Sequence, residues 1–479
     1  MTKSWIISLP FAALTYAAIA QDVVPPEPIE ATQSRLSPGQ IYLMEKHKIS
    51  EAEAAERLEL QEAVNDTVAK LAAEYPDDYA GVWIEHEPVY RIIIGFKDAD
   101  QRAAVRETIP PKQRRYVQLK NVRQSVQERE ASIDRVIAAL QGSAIRYMSH
   151  YEHRTDDLVI VVSTDDNIGK VRQLLPADLR SFVKIERGSL PRELQATGGT
   201  TSDYVYPGFW WNDNKLDAAR WQCSFSFAAR DSQNREGILT AGHCPLTDAQ
   251  LYRANPSPHW VTLTRNSINQ FTYGTKYDYR FYRTSGITTG AWLWFENGSN
   301  KIIGIDNDGS SLSSYSGANV MSGYPASGYW KVTGTYGYYD QKVGDVLCKT
   351  GRASGLTCGK ITHGYLTFRD AKGWIRLGDS YQRYISIGGD SGGAVFTSPI
   401  NGNIKAAGIL SAGNDYDPTP RYPRSGDEKV CSDVMENNPD YDDDVNPGVP
   451  QIDDCYIIHM PIDYIDDHQL LTVITQPAG

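Results

Sequence analysis

The chain has 479 residues, of which 41% are hydrophobic and 22% charged, so it is long enough for two or three globular domains with sizeable cores. Its net charge of -11 argues against a nucleic-acid partner and against binding to an anionic membrane surface, because both require a basic face.

Residues 1–20 have the pattern of a secretory signal peptide. Lys3 precedes an apolar stretch that ends in the small-residue cleavage pattern Ala18-Ile19-Ala20. This stretch is short for a membrane span, and no other segment is apolar enough to cross a bilayer. We therefore expect a secreted protein, extracellular or periplasmic, with no membrane contact.

Residues 21–196 contain no cysteine and alternate between helix and strand patterns. The predicted helices are 50–71, which begins at the capping-box residues Ser50 and Glu53, then 123–140 and 167–175. The predicted strands are 89–96, 144–150, 157–163 and 181–185. This order of elements is typical of a small α+β sandwich of ferredoxin-like type. The polar, glycine-rich boundary that follows, 190–200, is of a kind that is open to proteolysis.

Residues 197–479 are rich in Gly, Ser, Thr, Tyr and Trp, and their short β-prone runs indicate an all-β barrel or sandwich. The runs are separated by the turn dipeptides Asn297-Gly298, Asp308-Gly309 and Asn401-Gly402. Residues 414–454 are predicted to form an acidic surface insertion; a solvated loop is favoured there over a calcium site. One late helix is predicted over 462–474.

All six cysteines lie in this second part, and an even number in an exported chain indicates disulfides. Proximity in the sequence favours the pairs Cys223–Cys244, Cys348–Cys358 and Cys431–Cys455. A metal site is the alternative, but the chain has neither a CxxC pair nor a His-x-x-x-His spacing.

Two segments offer a general base and an acid to orient it. In 237–244, a β-prone run leads into a small-residue turn that presents His243 just before Cys244. Histidine suits general-base catalysis because its ordinary pKa lies near neutral pH. Asp278 lies in an aromatic, strand-like run, where aspartate is disfavoured and its burial is costly unless the carboxylate is paired. A hydrogen bond from the His243 ring would pair the carboxylate and orient the imidazole.

A third segment, rich in glycine, surrounds Ser391. Its glycines permit a tight loop in which the amides of Gly389 and Ser391 converge as an oxyanion hole, with Ser391 as a nucleophile activated by His243. The same letters fit the Gly-x-Ser-x-Gly pattern of α/β-hydrolases. That fold requires a helix after the serine and alternating strands and helices, whereas here a strand-like run and Pro399 follow.

These segments resemble the signatures of the chymotrypsin-like serine peptidases, and most closely the bacterial branch of the streptogrisins and α-lytic protease. The resemblance covers roughly 220–415 and includes a disulfide hairpin over 343–361. It implies an all-β double six-stranded barrel as the protease domain, 197–479, preceded by an α+β pro-region, 21–196.

The resemblance also implies roles for single residues and for the pro-region. The catalytic triad would be His243, Asp278 and Ser391; Ser411, Ala412 and Gly413 would pair with the substrate backbone; Arg352 would hold Asp390; and Cys223–Cys244 and Cys348–Cys358 would match the bridges of the family. The pro-region would help the protease domain to fold and act as its intramolecular inhibitor.

The expected function is therefore that of a secreted serine endopeptidase, made as a zymogen. We expect a monomer that acts on protein or peptide substrates and needs no metal or organic cofactor. No acidic residue precedes Ser391 at the distance typical of trypsin-like pockets, so an apolar substrate side chain is expected before the scissile bond. The alternatives are a catalytically inactive binding protein and a serine esterase, both on the same fold.

Overall fold

The structure is a computed structural model. The residues that it describes are 36–97, 102–188, 190–193, 196–197, 210–213, 221–244, 249–253, 259–263, 268–284, 289–297, 321, 324–325, 327–351, 354–381, 385–386, 390–413, 456–467 and 470–477. The predictions that lie outside these residues are the signal peptide 1–20, Gly298 of one predicted turn, the turn Asp308-Gly309, the insertion 414–454, the pair Cys431–Cys455, Arg352 and Gly389. No helix among the described residues combines the length and the apolar character needed to cross a membrane.

The described α-helices all lie in the first part of the chain. They are α1 Pro38–His47, α2 Glu51–Ala63, α3 Asn65–Glu74, α4 Arg102–Thr108, α5 Pro111–Arg114, α6 Val126–Leu140 and α7 Asp165–Leu174. The Ser50 hydroxyl caps α2 by accepting the amide of Glu53. The single helix predicted over 50–71 is instead two helices, divided at Val64, which is buried in one core with Leu60 and Val68 from either side.

Six strands of this first part form two separate groups. Strands β1 Tyr79–Glu85, β2 Arg91–Phe96 and β3 Val117–Asn121 make one sheet, whereas β4 Tyr147–Glu152, β5 Asp157–Val162 and β6 Val183–Arg187 belong to another. The predicted ferredoxin-like sandwich is therefore wrong, because its strands do not share a sheet. The second group is extended instead by a strand from the second half of the chain, which pairs with the free edge of β4.

The second half is built of strands, as predicted for an all-β region. They are β7 Arg192–Glu193, β8 Ala196–Thr197, β9 Trp210–Asp213, β10 Trp221–Ser224, β11 Ala228–Asp231, β12 Glu236–Thr240, β13 Ala249–Arg253, β14 His259–Leu263, β15 Ile268–Phe271, β16 Asp278–Arg283, β17 Trp292–Glu296, β18 Ser327–Thr335, β19 Val346–Gly351, β20 Gly355–Phe368, β21 Ala371–Gly378, β22 Ala394–Thr397, β23 Asn403–Gly413, β24 Tyr456–Pro461 and β25 Leu471–Val473. The predicted turn Asn401-Gly402 joins β22 to β23, with φ values of 52° and 74°. The helix predicted over 462–474 is wrong: a short 3-10 turn ends at Ile465, and Leu471 and Val473 alternate into the core as strand β25.

Six of these strands pair in a closed cycle, in the order β19, β20, β21, β24, β23 and β22. We call this set the closed ring. Ten other strands of the second half form two five-stranded sheets, β14-β13-β9-β10-β8 and β15-β16-β12-β11-β25, whereas β7, β17 and β18 join the sheet of the ring. Among the described strands, the ring is the only set that pairs in a closed cycle. Where two six-stranded barrels were predicted, the described strands form one closed ring and two open sheets.

The first part of the chain packs directly on the closed ring. The Gln61 side chain bonds both backbone groups of Val346, at 2.7 Å to its N–H and 3.1 Å to its carbonyl. The Lys405 ammonium lies 2.7 Å from the Glu62 carboxylate. Tyr42 and Leu58 from the helices share one hydrophobic core with residues of the ring. The two parts of the chain are thus joined by polar contacts and by a common core.

Candidate active site

His243 lies in the turn that follows β12, and covalent and polar contacts hold both sides of that turn. The disulfide Cys223–Cys244 ties the residue after the histidine to β10. Before the turn, the Thr240 hydroxyl donates to the carbonyl of Ser224, 2.7 Å away. The local sequence therefore fixes the backbone that presents the imidazole.

Asp278 begins β16, the strand beside β12, and both of its carboxylate oxygens face His243. Oδ1 accepts the backbone N–H of His243 at 2.8 Å, and Oδ2 lies 2.7 Å from Nδ1 of the ring. Because an ionised carboxylate only accepts, Nδ1 carries the hydrogen and Nε2 is left as the acceptor. This tautomer is the one that a general base requires.

Ser391 lies in the loop before β22, with its Oγ 2.9 Å from Nε2 of His243. The next residue, Gly392, has φ of 84°, and a Cβ there would come within 2.2 Å of the Thr240 hydroxyl and 2.3 Å of the Ser224 carbonyl. Only glycine allows this loop to lie against the histidine turn. The structure thus brings the three predicted residues into one continuous hydrogen-bonded chain.

Asp278 is fully buried, and its carboxylate interacts with other side chains besides His243. Burial alone would raise the pKa of this carboxyl, but the electrostatic interactions with His243 and Arg369 outweigh burial and hold the pKa well below its ordinary value. Arg369 Nη1 lies 3.0 Å from Oδ2, and the Ser411 hydroxyl donates to the same oxygen. Asp278 therefore remains an anion beside the imidazole.

Sequence reasoning missed Arg369. It lies in the tight turn between β20 and β21 with φ of 54°, and its guanidinium packs over the rings of Phe368 and Trp374. An arginine flanked by aromatic residues is too common to single out, because such stacking serves many surface and core positions. Only the folded hairpin shows that it reaches Asp278.

Asp390, which precedes the candidate nucleophile, is also fully buried and ion-paired. Its Oδ2 lies 2.9 Å from Lys349 Nζ, and it accepts hydrogen bonds from the hydroxyls of Ser354 and Ser386. Burial would raise the pKa of Asp390, but the Lys349 ammonium and the Ser354 hydroxyl hold it below its ordinary value. The cation predicted for this site, Arg352, lies outside the described residues, whereas Lys349 was not anticipated.

The strand segment predicted to bind the substrate backbone ends β23. The Ser411 carbonyl lies 3.5 Å from Ser391 Oγ, so this segment runs past the candidate nucleophile. Ala412 and Gly413 pair antiparallel with Glu193 and Arg192 of strand β7. The edge predicted for a bound peptide thus carries a short strand of the chain itself.

Both described disulfides match prediction: Cys223–Cys244 and Cys348–Cys358. The oxyanion hole stays a prediction, since Gly389 lies outside the described residues. Within the part of the chain that the structure describes, one group of three or more potential metal ligands has compact geometry, and it lies away from the triad: His150, Glu152 and His363.

No protein-family model matches the chain, and no curated protein matches it. Among solved structures, it is similar to Thermobifida fusca protease A, with 18% identity, a TM-score of 0.32, and coverage of 57% of this chain and 99% of that one. It is likewise similar to a Nocardiopsis protease, with 17% identity and a TM-score of 0.31, and to a Cellulomonas bogoriensis chymotrypsin, with 21% identity and a TM-score of 0.30; the coverage is again 57% and 99%. At these TM-scores the likenesses add nothing to the assignment of function.

Proposed function

We propose that the chain is a secreted serine endopeptidase that cleaves peptide bonds through an acyl-enzyme. The observation that carries the proposal is the unbroken contact from Ser391 Oγ to His243 Nε2, 2.9 Å, and from His243 Nδ1 to Asp278, 2.7 Å. A hydroxyl, an imidazole and a buried carboxylate in this order form the arrangement that activates a serine for acyl transfer.

In the proposed reaction, Ser391 Oγ attacks the carbonyl carbon of the scissile bond as His243 Nε2 takes the hydroxyl proton. The Asp278 carboxylate stabilises the imidazolium that forms, and the amides of Gly389 and Ser391 would bind the oxyanion. The tetrahedral intermediate collapses when Nε2 gives its proton to the leaving amine. Water then attacks the acyl-enzyme by the same route and frees Ser391.

We propose further that the protein is a zymogen whose pro-region is 21–196. Two contacts support this. Strand β7 lies along Ala412 and Gly413, where a substrate backbone would pair, so a substrate and this strand would compete for one edge. Strand β4 pairs with β20 of the closed ring, which holds the first part of the chain on the proposed protease domain. The proposed domain, 197–479, would complete the double six-stranded barrel of the family.

A fluorophosphonate probe tests the proposal, because it reacts with an activated serine and not with ordinary ones. The purified secreted protein is incubated with the probe, and the labelled residue and the new N-terminus are mapped by mass spectrometry. We expect the label on Ser391 in a fragment that starts within 190–205. The Ser391→Ala variant should lose the label, and Ser181→Ala, which changes an exposed serine of the first part, should keep it.

An intact chain without a label is probed again after limited proteolysis. Labelling of Ser391 at that stage would support a zymogen that another protease activates. Labelling that is absent even then, or that survives Ser391→Ala, would overturn the proposed activity.

A further inference from the structure

A second cluster of chemically active side chains lies where the first part of the chain meets the closed ring. His150 and Glu152 are two residues apart on β4, so their side chains lie on the same face of the strand. His363 is on β20, and its ring centroid lies 3.8 Å from that of His150. One ligand atom from each of the three residues lies within 4.8 Å of the others. The cluster therefore draws its members from both parts of the chain.

The His150 ring has a buried nitrogen that is open to a ligand. His150 is only 5% exposed, and its Nδ1 has no hydrogen-bond partner among the described residues. A buried polar nitrogen without a partner is costly, and a bond to a metal would satisfy it.

The carboxylate of the cluster is oriented by the backbone. Oε1 of Glu152 accepts the N–H of Arg154 at 3.0 Å, which fixes the carboxylate at the end of β4. Such an outer contact on a ligating group is typical of metal sites. The positive charges of Arg376 and Lys184 act on His150, and they would oppose a bound cation.

We propose that His150, Glu152 and His363 bind a zinc ion. Two imidazoles and one carboxylate suit zinc, which takes nitrogen and oxygen ligands tetrahedrally and completes its shell with water. Zinc bonds of about 2 Å place the ligand atoms roughly 3.3 Å apart, so small side-chain rotations close the cluster on the ion. The ion would bridge β4 to β20.

This bridge has a consequence that rests on the proposed function. If the first part of the chain is an inhibitory pro-region, zinc would hold it on the protease domain after the connecting segment is cut. Zinc would then act as a brake on activation.

The test of the site uses the full chain as the Ser391→Ala variant, which cannot process itself, titrated with Zn²⁺ alone in a calorimeter. We expect one zinc ion per chain, and an affinity weakened roughly 100-fold or more by Glu152→Gln, since loss of a ligand should cost at least as much as loss of an outer contact. Glu186→Gln, on strand β6 of the same sheet, is the matched control and should bind zinc as the parent does.

A second variant, His363→Asn, removes another proposed ligand, so that the test does not depend on the folding of Glu152→Gln alone. Circular dichroism checks that each variant is folded. Zinc binding that persists in both folded variants, or that is lost only with His243→Ala, would place the ion elsewhere and overturn the site. Absence of binding at micromolar zinc would overturn it too. Because the binding is measured without activity, its outcome is independent of the proposed protease function.

The brake is tested separately on the chain with Ser391 intact. After the connecting segment is cut, zinc should slow the dissociation of the first part from the mature fragment several-fold, as followed by size-exclusion chromatography, and Glu152→Gln should abolish that delay. An equal delay in the variant would mean that zinc acts at the triad and not at the bridge.

Discussion

The buried pair between Lys349 and Asp390 allows the cost of one substitution to be worked out. Nζ lies 2.9 Å from Oδ2, and both side chains are fully buried. Lys349→Met keeps most of the apolar length of the side chain but leaves the Asp390 carboxylate buried without its cation. Breaking a buried pair from one side costs about 3–5 kcal/mol. Since Ser354 and Ser386 still donate to the carboxylate, we expect a loss of about 3 kcal/mol in the free energy of unfolding.

Urea unfolding at neutral pH, in the Ser391→Ala background, measures this loss. Lys405→Met is the control, because its pair with Glu62 is partly exposed and should be worth less than about 1 kcal/mol. Adding Asp390→Asn to Lys349→Met should recover part of the lost free energy of unfolding, since it removes the unpaired carboxylate charge. The reasoning is refuted if Lys349→Met costs no more than the control, or if Arg352→Gln alone carries the full loss.

Two further predictions concern the candidate triad and the pH dependence of stability. Asp278→Asn should lower kcat roughly 10⁴-fold with little change in KM, because an amide cannot hold His243 in the required tautomer. The assay uses a peptide substrate with an apolar side chain before the scissile bond. A decrease in kcat of less than tenfold would contradict the role given to Asp278. Burial lowers the pKa of His86 and His459 to about 3 from the ordinary 6.5, so between these pH values the unfolded chain binds more protons than the folded one. The free energy of unfolding should therefore fall as the pH falls through that window, by about 1.4 kcal/mol per pH unit for each histidine. Urea unfolding at neutral pH and near pH 5 measures how steeply the free energy of unfolding depends on pH. In His459→Gln this dependence should be weaker by the contribution of one histidine, and an unchanged dependence would contradict this account.

The members of the candidate triad were predictable because each lies in a short segment with its own local signal. A histidine before a cysteine, an aspartate in an aromatic strand and a serine among glycines are visible without knowledge of the fold. The partners of the two aspartates were not predictable in this way. Lys349 is 41 residues from Asp390, and Arg369 is 91 residues from Asp278, so only strand pairing and the turn of a hairpin bring them together.

The elements themselves were predicted better than their assembly. Apolar alternation located β2, β4 and β5 to within a few residues, but it carries no information on which edges pair. The predicted α+β sandwich failed because β5 pairs directly with β6, where the fold requires β2 between them, and β2 pairs instead with β1 and β3. The helix predicted over 462–474 failed because a short turn followed by a period-two strand also places apolar residues at mixed spacings.

Strand β20 pairs with both β19 and β4 along the same edge. Any form of the protein that lacks its first part would therefore leave a length of this edge unpaired. Residues 355–360 pair with β19 inside the closed ring, and Thr367, further along, pairs with Ser149 of β4. Removal of 36–188 would leave that far length of β20 with unpaired backbone groups beside the apolar side chains of Leu366 and Phe368. An uncovered strand edge of this kind is a template for pairing with another chain. The second half of the protein, produced alone, should therefore be prone to edge-to-edge aggregation even if the closed ring itself is intact.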